Sequence, residues 1–248
     1  DSKIVGSDCC AEHEFCVVSD KQAGANPFDP LESLDHIAVL KAQCDYVICL
    51  YHGGKEHYRY TSPSLQKACR KIVEKGANLV ICQHTHCIGC EEKWQDGTIV
   101  YGQGNFLFDY SESEFWQTSV LVCVELRDDS VTYIPLRKSE NAVKLAQGKD
   151  AENILSDMSE RSKQIQQDGF VENEYAKFAK DMIDGYLVRT DTLTASFLFR
   201  AFNKLLGHRL TSCVSKRKRR KYGKILINQY VCGAHRELIL KGLEVGDR

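Results

Sequence analysis

The chain has 248 residues, 43% of them hydrophobic and 27% charged, with 33 basic against 34 acidic residues and a formal net charge of -1. That mix describes one or two globular domains and excludes a disordered chain or a uniformly cationic coat for nucleic acid. Mean hydropathy is negative, and no run of about 18 apolar residues marks a membrane-spanning helix.

Taken in order, Glu14-Phe15-Cys16-Val17-Val18 reads as a strand, followed by the turn-rich Asn26-Pro27-Phe28-Asp29-Pro30. Leu34, Ile37, Ala38 and Leu40 make a helical stripe over 31–43. Residues 45–51 form a continuous apolar run, the mark of a buried strand. Residues 63–75 read as a helix with Ser62 as N-cap, Pro63 at its first position and Gly76 as its stop. A second buried strand spans 78–82. A third, 98–101, follows an Asp96-Gly97 turn. Residues 118–126 and 130–135 read as a hairpin around Asp128-Asp129. Strands alternating with helices imply crossover connections and a parallel sheet, so the fold class is α/β. Beyond residue 138 helical periodicity dominates 150–207 and 224–243. The expected division is therefore an α/β domain over 1–138 and a helical extension over 139–248. The six consecutive basic residues Lys216-Arg217-Lys218-Arg219-Arg220-Lys221 read first as a solvated linker between helices, with a contact to phosphate lipids or nucleic acid as the alternative reading; no nucleic-acid partner is expected for the chain.

Twelve cysteines, several inside apolar runs (Cys49, Cys82, Cys123), read as reduced, buried thiols in a reducing compartment. Cys87-Ile88-Gly89-Cys90 has no second pair to complete a zinc ribbon and reads as two more such thiols.

Two apolar strands end in histidine: Tyr51-His52-Gly53-Gly54-Lys55-Glu56-His57 and Gln83-His84-Thr85-His86. In an open α/β sheet ligands bind beyond the carboxyl ends of the strands. The intervening helix lets the two strands lie side by side, which brings His52 near His84 and His86. Converging imidazoles suit a divalent transition metal. In an extended His84-Thr85-His86 segment both rings point the same way. Tyr101-Gly102-Gln103-Gly104-Asn105 is a glycine-rich loop after a strand, more often a tight turn than an anion cradle.

These residues carry a resemblance. The blocks around His52-Gly53-Gly54-Lys55-Glu56, Gly76-Ala77-Asn78 through His84-Thr85-His86, and Tyr101-Gly102-Gln103-Gly104-Asn105-Phe106-Leu107-Phe108-Asp109 resemble, in order, the hallmark blocks of the bacterial capsule-synthesis protein family CapA, over about residues 26–126. Gln83 stands where the family usually has glycine, and Gly53 where it has tryptophan. The family is associated with poly-γ-glutamate capsule production and looks like a branch of the calcineurin-like metallophosphoesterases.

The resemblance implies a four-layer α/β/β/α sandwich and a two-metal centre of manganese, iron or zinc. His52 and His84 would sit on one metal and His86 on the other, with Glu56 and Asn105 lining the pocket. It implies a metal-dependent hydrolase acting on a small-molecule or polymer substrate or, failing that, a non-catalytic assembly component of polymer synthesis or export. The family's earlier blocks, which carry the bridging carboxylate, have no counterpart here, so the chain resembles the family's C-terminal portion. A cytoplasmic location is expected, or a membrane anchor in a part not present. A membrane or capsule-synthesis complex is the implied partner. An open sheet edge predicts self-association.

Overall fold

The computed structural model describes residues 2–12, 17–18, 23–107, 113–140, 142–189, 196–207 and 209–246. The chain divides into two compact units, 1–175 and 176–248.

The first unit is built on a five-stranded sheet: β1 (Val5–Ala11), β2 (Tyr46–His52), β3 (Leu79–Gln83), β4 (Glu91–Trp94) and β5 (Gly97–Val100). Their order is β1-β2-β3-β5-β4; β4 runs antiparallel to β5 and the other pairings are parallel. Helix α1 (Glu32–Lys41) links β1 to β2, and α2 (Pro63–Glu74) links β2 to β3. Helix α2 starts where its sequence says: Ser62 Oγ accepts from the Leu65 amide at 3.2 Å, and Pro63 gives up a donor the first turn does not use. A second, antiparallel sheet has the order β6-β7-β8, from β6 (Thr118–Glu125), β7 (Ser130–Ser139) and β8 (Ala142–Leu145). Helix α3 (Gly148–Gln164) packs on β4 and β7.

The strands are apolar on both sides because both sides are covered. On one face Val47, Cys49, Tyr51, Val80, Cys82 and Ile99 meet α1 and α2 through Ile37, Leu65, Cys69 and Ile72. On the other, Tyr46, Leu79, Ile81 and Val100 meet Val120 of β6 and Ile154 and Met158 of α3. A helix layer, the parallel sheet and the second sheet are thus stacked in that order, an α/β arrangement. The cysteines described are free thiols, most of them buried in these layers.

The structure departs from the sequence reading in several places. The first strand is Val5–Ala11, a segment whose small and polar residues (Gly6, Ser7, Asp8) hide its β character. Of the strand expected over 14–18, residues 14–16 lie outside the described residues, and Val17 forms an isolated bridge with Ala25. Strand β4 was not expected, because Glu91-Glu92-Lys93-Trp94 reads as surface. Its Glu92 is nevertheless buried beneath α2, where it accepts from Arg70 Nε at 3.0 Å, Tyr101 OH at 2.6 Å and Gln66 Nε2 at 3.3 Å. The first unit also runs past residue 138, because β8 pairs with β7 and α3 fills the second core.

The second unit takes the C-terminal half of α4 (Phe170–Arg189), with α5 (Phe197–Leu205), α6 (Arg209–Val231) and α7 (Gly233–Gly246). The basic run 216–221 is not a linker but the middle of α6. The helix expected over 224–243 is broken at Cys232 into α6 and α7.

Candidate metal centre

The histidines meet because of register. His52, the last residue of β2, pairs with Gln83, the last of β3, so His84 lies one residue beyond its neighbour. The His52 and His84 ring centroids are 5.0 Å apart, and those of His84 and His86 are 6.2 Å apart. The two loops are tied by main-chain bonds, Gly53 N to Gln83 O at 3.0 Å and His57 N to Thr85 O at 2.8 Å.

The expected extended His84-Thr85-His86 segment is corrected by the backbone. Strand β3 ends at Gln83, and His84 (φ 96°) and His86 (φ 56°) are both in the left-handed region, as is His57 (φ 58°). Side chains other than glycine avoid that region at a cost of about 1–3 kcal/mol each, and such residues gather at functional sites. The two rings share a site because the chain coils back at each histidine, with buried Thr85 between them.

Asn105 is delivered by the loop after β5. Its Nδ2 donates to the His86 carbonyl at 3.2 Å, which leaves its Oδ1 to face His86 Nδ1 at 2.8 Å. Nδ1 must then carry the proton, and the lone pair is on Nε2. That is how a metal-binding imidazole is usually oriented by its surroundings. The loop reaches this place because Gly102 (φ 142°) has no side chain; a Cβ there would lie 2.7 Å from both Thr85 Oγ1 and the Cys87 carbonyl oxygen. The closeness that this glycine permits is to the histidine loop.

Glu56 is exposed in the turn after β2, and no hydrogen bond joins it to the histidines. The site contains residues that sequence reasoning missed. His57, not Glu56, faces His86, with ring centroids 6.4 Å apart. Trp116 stacks on His86 at 4.7 Å and 10°, and its Nε1 donates to His57 Nε2 at 3.1 Å. Phe115 stacks on the His57 ring at 5.0 Å. Both aromatics come from a short 3-10 turn at 114–116, far from the histidines in sequence, and no local pattern announces them. Glu12, just past β1, accepts from the Gly54 amide at 3.1 Å. It puts a carboxylate at the same end of the sheet, and its position there was legible only once β1 was known.

Among the described residues, Asp8, Cys10 and Cys49 form a trio with donor atoms within 4.8 Å of one another; the three histidines form no trio that tight. Cys87 and Cys90 are fully buried. Burial raises both thiols above the ordinary cysteine range, so neither offers a ready thiolate.

The profile of the bacterial capsule synthesis protein family PGA_cap matches residues 7–110. This segment is similar to that family. The match starts earlier than the three blocks and takes in β1. It ends before β6, so the second sheet and the helical unit fall outside it. The capsule biosynthesis protein CapA of Bacillus anthracis is 27% identical over 135 residues, covering 52% of this chain and 33% of that protein. The PGA biosynthesis protein CapA of Bacillus subtilis (strain 168) is 28% identical over 86 residues, covering 35% of this chain and 23% of that protein. The chain thus aligns with a third or less of each of these relatives.

Proposed function

We propose that this segment contributes the histidine half of a metal-dependent, phosphoesterase-like hydrolytic centre in a capsule-polymer biosynthesis protein. His52, His84 and His86 are the residues that would hold divalent metal. The observation that supports the reading is the meeting of three imidazoles at the ends of β2 and β3, with ring centroids 5.0 Å apart for His52 and His84 and 6.2 Å for His84 and His86, and with Asn105 holding the His86 ring through Nδ1. A bound divalent ion at such a centre supplies Lewis acidity and a nucleophilic hydroxide at neutral pH. The chain's own residues do the rest. His84 and His86 are held in strained conformations by the Thr85 carbonyl bond to His57 and by Asn105. Trp116 walls one side of His86 and shields it from water. Glu12 fixes the Gly53-Gly54 turn and with it the exit of His52 from β2. The role of Glu56 is confined to the exposed rim.

The test is metal content of the purified chain by elemental analysis, with His84→Ala as control, followed by hydrolysis of an aryl phosphate ester. Bound manganese, iron or zinc that is lost in His84→Ala supports the reading. Asn105→Ala should weaken metal binding about 10–100-fold, the usual effect of removing a group that orients a ligand. Metal content unchanged by His84→Ala would refute the assignment. Metal bound at the histidines but no turnover in the full-length protein, with polymer production intact in His84→Ala, would favour the non-catalytic assembly role.

A further inference from the structure

We propose that the helical unit 176–248 docks on the surface of an anionic lipid bilayer through the outward face of α6 and the apolar face of α5. The starting point is how α6 is oriented within its unit. Ser215 is fully buried and donates to Asp184 of α4 at 2.6 Å. Arg219 pairs with the same carboxylate at 3.1 Å, and Lys218 Nζ donates to the Leu187 carbonyl at 3.3 Å. These contacts use one side of the helix. At 3.6 residues per turn, Lys216, Arg217, Arg220, Lys221 and Lys224 lie on the opposite side within an arc of about 140°. All five are exposed, and among the described residues no carboxylate pairs with them. Lower on the same arc stand Ile227 and Val231, 65% and 78% exposed.

Helix α5 is arranged in the same unusual sense. Its Asn203 is buried and bonds Thr211 at the start of α6, donating to Oγ1 at 2.7 Å and accepting from the amide at 3.1 Å. Phe197, Leu198, Phe202, Leu205 and Leu206, 50–80% exposed, fall on the other half of the helix. A helix that turns its amide inward and five large apolar side chains outward leaves surface that water does not solvate well.

Exposed cations together with exposed aromatic and aliphatic groups in one unit match one kind of partner. The lipid headgroup layer offers negative charge above an apolar interior. A nucleic acid would satisfy the cations and leave the α5 leucines in water. None of the described helices is long and apolar enough to cross a membrane, so contact is with the surface.

The experiment is vesicle co-sedimentation of the whole 248-residue chain. Phosphatidylcholine vesicles with about one-third phosphatidylglycerol should bind it, and pure phosphatidylcholine vesicles should not. Binding should fall with added salt as the surface potential is screened. Each basic residue removed near the surface should cost about fivefold, so Arg217→Gln/Arg220→Gln/Lys221→Gln should lose on the order of a hundredfold. Phe197→Ser/Phe202→Ser should also weaken binding, and the loss should persist at high salt. His84→Ala should bind as the parent does, because this surface does not depend on the histidine site. Equal binding to neutral and anionic vesicles by the unaltered chain, or none to either, overturns the proposal whatever the variants do. So does tighter binding to a short DNA duplex that the Phe197→Ser/Phe202→Ser change leaves untouched. So does a dimer that this change dissolves while vesicle binding stays the same.

Discussion

In residues 1–175 the side chains of Ile37, Ile72, Val80 and Ile99 are shut away from water, while in 176–248 Phe197, Leu205 and Val231 stand in it. The polar groups are reversed as well. The first unit sets its exceptional residues at the open end of a sheet, whereas the second buries Asn203 and Ser215 as the joints between helices. The difference teaches where each unit keeps its function. In the first, apolar burial supplies a rigid platform and the cost of strained histidines is carried by it. In the second, polar contacts hold the helices together and leave the apolar faces for something else.

Substitutions test that contrast, beginning with the largest effect. Arg70→Ala strips the cation from Glu92, a carboxylate that is 4% exposed. Leaving one member of a buried pair alone costs about 3–5 kcal/mol, to be read as a lowered denaturation midpoint of the first unit. Ile72→Ala empties a fully buried position and should cost about 2–5 kcal/mol in the same measurement. Gly102→Ala forces a side chain into a left-handed position and against Thr85; it should cost about 1–3 kcal/mol and depress metal binding more than stability. By contrast, Phe202→Ser should change the stability of the helical unit by no more than about 0.5 kcal/mol, as for an ordinary surface site. A large loss there would mean that the α5 face is a core after all, and would remove the contrast.

The smallest effect concerns Asp8. Burial raises its pKa, partly offset by His36, and its Oδ2 is buried without a hydrogen-bond partner among the described residues. A folded pKa above the unfolded one means that the native state binds the proton more tightly. Stability from this group is therefore present below the unfolded pKa and is lost as pH rises through the folded one. Asp8→Asn should accordingly stabilise the first unit at neutral pH and lose that advantage in acid, by denaturation at the two pH values.

Much of the first unit was legible in the sequence. Periodicity located α1 and α2 and strands β2, β3 and β5, and the Ser62-Pro63 start of α2 was readable residue by residue. The histidines at the ends of β2 and β3 were legible too, because a strand end is a place that a sequence marks. Strands β1 and β4 were not. Their polar residues are paid for by partners distant in the chain, as when Glu92 meets Arg70 and Tyr101, and no window of sequence contains that pairing.

What the sequence by itself determined was the local grammar: which segments extend, which coil, and which end in imidazole. Only the tertiary structure decided that His84 and His86 turn left-handed, that Asn105 selects the proton position on His86, and that Trp116 stacks over it. The same division holds for the basic run. Its charge is plain in the sequence, but a stretch of lysines and arginines does not say which way it faces. That follows from Ser215 and Arg219 gripping Asp184, since fixing one side of a helix fixes the other.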